Sequence, residues 1–214
     1  MRALKVIIVG AGGHAAVAAD ALLAAGVNVV GFTDPEAAKH GRRLCNLPVL
    51  GGDEALSQRA GDGIALVNGI GGIGDTTLRR TVQERLESLG WKFLGFRHPS
   101  AVVSPFASVA ADAQLCAGSV VQPGAAISKG CIVNTAAVIE HDVRLGAWSH
   151  VAPNALVCGN AVLGEGCHVG AGSVVLQGLN LGQRTVVGAG ATVVRDFAGD
   201  GTLVGLPARL LERR

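Results

Sequence analysis

Of the six histidines in the 214 residues, one stands between two acids, in Glu140-His141-Asp142. A neighbouring carboxylate fixes the tautomer of an imidazole and raises its basicity. Acylation of an amine or hydroxyl needs such a base, held within ~3 Å of the proton it removes. The other histidines read differently. His40 lies among polar residues and reads as surface, and His98, before Pro99, reads as structural. His14 closes a glycine-rich turn and is a candidate contact to a phosphate or sugar. The five cysteines (Cys45, Cys116, Cys131, Cys158 and Cys167) show neither CxxC nor Cys/His ligand spacing. They read as small buried apolar side chains, and no metal site is expected.

A second constellation precedes the acids. Gly10-x-Gly12-x-x-Ala15, with Asp34 further on, matches the dinucleotide fingerprint. Its glycines let backbone N–H groups approach a pyrophosphate at a helix N-terminus, and the acid accepts a hydrogen bond from ribose or base. A nucleotide-sugar carries the same pyrophosphate as NAD. About a hundred residues precede the repeat described next, which is short for a full dinucleotide fold.

These residues are positioned by two kinds of element. From Val103 to Val193 every sixth residue, sixteen in all, is Val, Leu or Ile. Four residues after each comes a mostly small residue, as at Ala107, Ala125, Cys131, Ala137, Ala155 and Ser173. This is the hexapeptide signature, with an aliphatic residue filling the interior and then a turn where little bulk or an unusual φ is tolerated. Three strands and three turns make a coil of eighteen residues, and sixteen hexads give a little over five coils. The coils stack at the ~4.8 Å strand spacing. The tail from Asp196 is expected to cover one end or a flank.

The same arithmetic places the chemistry. Gly159 is one coil of eighteen residues from His141, where its bare N–H suits an oxyanion donor. His150 and His168 stack on each other, half a coil away on the opposite side of the prism. A site using both His141 and His150 therefore needs a neighbouring copy of the chain.

The first half reads as a small open parallel sheet. Strands are expected at Leu4–Val9, Val27–Phe32, Ile64–Val67 and Lys92–Phe96, with helices over Ala15–Ala25 and Thr76–Leu89. The expected domains are residues 1–98, small and Rossmann-like, and 99–214, the repeat with its tail. A net charge of +2 implies no nucleic-acid partner. No apolar run reaches the ~18 residues of a membrane span, and no signal sequence is evident, so a cytoplasmic protein is expected.

The runs NTAAVIEHD and SHVAPNA, with VVGAGATVV and the terminal VGLPAR, resemble the hexapeptide sugar acetyltransferases. More narrowly, the chain is similar to their sialic-acid O-acetyltransferase-like branch, which carries a small Rossmann-like first domain. Relatives in that branch acetylate nucleotide-linked 4-amino-4,6-dideoxy sugars, as in the bacillosamine and perosamine pathways. The resemblance implies a left-handed parallel β-helix, a handedness that the repeat alone does not fix. It also implies a homotrimer with acetyl-CoA between adjacent β-helices. His141 inherits the role of base and Asp142 that of its orienting acid; some relatives have Glu there. His150 matches a residue that contacts acetyl-CoA, and Ala171 and Ala189 match backbone contacts to it. Gly12, Gly13, His14, Asp34, Pro35 and Gly71 match the nucleotide-sugar pocket, so the glycine turn serves the substrate, with neither NAD nor metal.

The expected activity is acetyl-CoA-dependent N-acetylation of a UDP- or GDP-linked amino sugar for lipopolysaccharide or another surface glycan. Sugar O-acetylation is the near alternative. A more distant one, an NAD-dependent oxidoreductase, would use the glycine turn but lacks an evident second catalytic domain. A non-catalytic scaffold or a metal-binding β-helix would leave IEHD idle.

Overall fold

The computed structural model describes residues 4–59 and 63–211. The chain forms two compact units. One comprises the residues up to Gly71 together with Thr77–Pro99, and the other Gly72–Thr76 together with the residues from Ser100 onward.

In the first unit, strand Lys5–Val9 is central, paired in parallel with Asn28–Thr33 on one side and Ile64–Asn68 on the other. Its Val6, Ile7 and Ile8 are fully buried, which is why this strand is an unbroken apolar run. Helices Gly13–Ala24 and Thr77–Ser88 follow the first and third of these strands. The strand expected at 92–96 is reduced to a bridge between Phe93 and Leu66, plus the pair Phe96–Arg97. Three elements had no sequence signal: the 3-10 turn Ala37–Lys39, the hairpin Arg43–Leu44/Leu47–Pro48 and the short helix Glu54–Ser57. The chain leaves the central strand toward one neighbour and returns on its other side. A crevice therefore opens at the carboxyl ends, the usual ligand position in such sheets.

The second unit is a parallel solenoid. Each hexad is a two-residue strand ending on an inward aliphatic residue, and strands eighteen residues apart pair, as in Val120↔Val138 and Ile132↔His150. One face holds six strands from Val102–Val103 to Thr192–Val193, and a second holds five from Ser108–Val109 to Asn180–Leu181. The third runs from Gln114–Leu115 through His150–Val151 to Thr202–Val204. Val121, Val133, Ile139, Leu145, Val157 and Val175 form the core axis.

The small residues and the unusual φ turn out to be separate features. Ala125, Cys131, Ala137, Ala155 and Ser173 point inward, into corners too narrow for more. The left-handed conformation falls on the residue before each, at Gly124, Gly130, Ala136, Asn154 and Gly172. After Val193 the period breaks. Phe197 bridges Leu181 and Leu203 pairs with Val187, each a step of sixteen instead of eighteen. This shortened coil supplies the sixth turn on the other two faces, where the strict repeat gives a little over five in all.

Candidate functional site

The glycine turn joins the central strand to its helix, and the first turn of that helix leaves backbone N–H groups without intrahelical partners. Gly12 and Gly13 are exposed, and a Cβ on either would meet nothing within 4 Å. They border a cavity of about 760 Å³, a size suited to a nucleotide-sized ligand. Gly12, Gly13, His14, Asp34, Pro35 and Gly71 all line it. So do Lys39, His40 and Arg85, which the sequence did not single out. His40, read as surface, places its Nε2 2.7 Å from the Asp34 carbonyl oxygen.

The opposite wall is fixed by Asn68. Its amide donates to the Arg79 carbonyl at 2.8 Å and to Gln83 Oε1 at 3.1 Å, and its Oδ1 accepts the Ile70 N–H at 3.0 Å. The turn Gly69–Gly71 is thereby tied to helix Thr77–Ser88.

On the solenoid, His141 and Asp142 occupy one corner, exposed to solvent. Asp142 Oδ2 lies 2.9 Å from His141 Nδ1. A carboxylate only accepts, so in the neutral ring Nδ1 carries the proton and Nε2 presents a lone pair. Asp142 takes the left-handed conformation, φ 62, and with it the shorter acid reaches the ring. No hydrogen bond joins Glu140 to the ring among the described contacts. Glu140 instead lies near Cys158, whose thiol is pushed up by burial and then by that carboxylate. Gly159 is buried beside His141, and a Cβ there would stand 2.5 Å from His141 Nε2.

His150 lies on a different face. It is 7% exposed, and its ring meets that of His168 edge-on with centroids 5.0 Å apart. Nδ1 donates to the Gly72 carbonyl at 3.0 Å, and Nε2 accepts from Asn134 Nδ2, also at 3.0 Å. Asn134 cannot turn over, because its Oδ1 already accepts the Thr135 N–H at 2.8 Å. His150 thus holds the segment Gly72–Thr76. Ala171 and Ala189 are exposed at successive turns of one corner, where the Gly190 N–H donates to the Ala171 carbonyl at 2.9 Å. Coil arithmetic does not reveal Asn134, because it sits sixteen residues from His150 and outside the eighteen-residue register.

Among the described residues, no cluster of three or more His, Cys, Asp or Glu side chains is placed to hold a metal ion. No helix among them is long and apolar enough to cross a membrane.

The PglD N-terminal domain family matches residues 5–86. The acetyltransferase domain of PglB from Neisseria gonorrhoeae FA1090, solved in complex with acetyl coenzyme A, is 33% identical over 98% of this chain and 100% of that one, with a TM-score of 0.90. The chain belongs to the hexapeptide-repeat nucleotide-amino-sugar N-acetyltransferases. Its solenoid is the left-handed β-helix of that family. A second relative is PerB from Caulobacter crescentus, in complex with CoA and GDP-perosamine. It is 34% identical over 97% of both chains, with a TM-score of 0.89. A histidine-to-asparagine variant of the Caulobacter perosamine N-acetyltransferase, with the same two ligands, matches with a TM-score of 0.90.

Proposed function

We propose that the chain transfers the acetyl group of acetyl-CoA to the amino group of a nucleotide-linked 4-amino-4,6-dideoxy sugar. His141 carries the reading. Its Nδ1–H is held by Asp142 at 2.9 Å, so its Nε2 is the free base, directed over Gly159. The uncharged amine attacks the thioester carbon, His141 Nε2 takes the amine proton, and the C–S bond breaks. The proton then returns to the departing thiolate, giving amide and free CoA. The Gly159 N–H is the candidate donor to the oxygen on which charge develops. Relatives solved with CoA and GDP-perosamine support this substrate class, and the first-unit cavity supplies glycine-turn N–H groups for a diphosphate.

The working unit in this reading is a homotrimer, acting in the cytoplasm on a precursor of a surface polysaccharide. The outward residues of the first solenoid face support the trimer. They are Val102, Val120, Val138, Leu156 and Val174, with Thr192 last, an apolar stripe bordering the corner that holds His141, which directly follows strand Val138–Ile139. The next face presents Ser108, Ala126, Arg144, Val162 and Asn180 instead. A second copy covering the stripe would explain the contrast. In such a ring, Ala171 and Ala189 offer main-chain groups to acetyl-CoA, and His150 shapes the facing side.

The deciding experiment incubates the purified chain with acetyl-CoA and UDP- or GDP-linked 4-amino-4,6-dideoxy sugars, following free thiol and product mass. Thiol release with an N-acetylated product is expected. Acetylation of a hydroxyl, or thiol release with no sugar dependence, would overturn the reading.

A further inference from the structure

Asp34 stands where a dinucleotide fingerprint has its ligand-binding acid, yet its carboxylate is already committed to the protein. Its side chain is 9% exposed. Oδ1 accepts the Glu36 N–H at 3.0 Å. Oδ2 accepts two donors, the Ala11 N–H at 2.9 Å and Lys39 Nζ at 3.0 Å. A carboxylate has about four acceptor positions, so the two free places that clasping a ribose diol requires are not present. Burial pushes the carboxyl up, but the Glu36 N–H, Lys39 and the Ala11 N–H outweigh it and hold it below the usual carboxylate range.

One oxygen atom therefore brings the Lys39 ammonium against the glycine turn. The ammonium has three donors, and Asp34 and Glu36, each at 3.0 Å, engage two. Lys39 also lines the cavity beside Gly12 and Gly13. We infer that Lys39 binds the diphosphate of the nucleotide-sugar, and that Asp34 is a positioning residue that holds Lys39 beside the glycine turn without contacting the ligand. This rests on the reading that the cavity takes the nucleotide portion of the substrate.

The test is a double-mutant cycle on the full chain, with Asp34→Asn, Lys39→Met and the double variant. Binding of GDP and UDP is measured by calorimetry, and steady-state constants are measured beside it. Each single variant is expected to weaken the bound nucleotide roughly ten- to a hundredfold, the loss of one charge-assisted contact. The double variant should be no weaker than Lys39→Met alone, because both changes remove one device. The KM for the nucleotide-sugar should rise, with kcat and the acetyl-CoA KM unchanged. Additive losses would mean that Asp34 touches the ligand independently of Lys39, and unchanged binding in either single variant would mean that the contact does not exist; both overturn the inference. If Asp34→Asn does not fold, Lys39→Met decides alone, since undiminished nucleotide binding by that variant overturns it. Failure of the unaltered chain to bind GDP or UDP, with sugar acetylation intact, would remove the nucleotide reading together with this inference. Absence of turnover by the unaltered chain, with GDP or UDP bound normally, would count against the acetyl-transfer reading only.

Discussion

The imidazole of His141 lies against the backbone of Gly159 one coil away, so close that a methyl group on Gly159 would stand 2.5 Å from Nε2. The missing side chain thus makes room for the imidazole, and in the proposed reaction the same glycine offers its N–H. Both residues are testable separately. His141→Asn should lower kcat by roughly 10²–10⁴-fold with the fold intact, the range for loss of a general base. Gly159→Ala should keep His141 but push its ring aside, costing on the order of a hundredfold in kcat, as a misplacement of about 1 Å does. Circular dichroism and steady-state kinetics check both. Near-normal turnover in His141→Asn would remove it as the base.

Gly13 tests the division of labour. Its φ lies outside the left-handed region and a Cβ would meet nothing within 4 Å, so Gly13→Val should fold and project into the cavity. The KM for the nucleotide-sugar should rise strongly and that for acetyl-CoA little. A parallel rise in both would show that the glycine turn does not serve the sugar alone.

How much of this was legible in the sequence depends on register. The solenoid was readable because its hexads run without insertion, so His141 and Gly159, and likewise His150 and His168, fall side by side by counting alone. The Asp142 contact followed from adjacency. Lys39 and His40 were not readable, because the stretch after Asp34 has no periodicity. It is shaped by a hairpin whose turn residues, Cys45 and Asn46, both take left-handed φ. Asn134 was missed because its side chain reaches across the register, and the last coil because it drops two residues.

The half-coil offset of His141 and His150 leads to a mixing experiment. His141→Asn chains and His150→Ala chains, each expected to be inactive, are denatured together and refolded. Trimers with sites at subunit boundaries should regain activity, because one hybrid boundary pairs intact His141 with intact His150. Mixed trimers as inactive as their parents would mean that the two histidines do not meet across a boundary.

Thiol reactivity should follow burial. The Cys116 thiol is pushed up to about 12 by burial, whereas Cys45 is exposed. At pH 8 the thiolate fraction of Cys116 is then ~10⁻⁴. A disulfide reagent on the native chain should mark Cys45 first and Cys116 only after unfolding, as read by peptide mass mapping. Fast native labelling of Cys116 would contradict its complete burial.

A column of identical rungs has no inherent stopping rule, since its last strand offers the next chain the same donors and acceptors it received from the rung before. Here the two residues dropped after Val193 act as a terminator. They let the tail fold back, so that Arg209–Leu210 pairs antiparallel with Thr202–Val204. The Ala208 N–H donates to the Thr192 carbonyl at 2.7 Å, and the Thr192 N–H donates to the Gly205 carbonyl at 3.1 Å. Pro207, between them, has no N–H to offer. Among the described residues, these bonds occupy backbone groups of the last coil that would otherwise be open to end-to-end growth, so residues 192–210 cap this end of the stack.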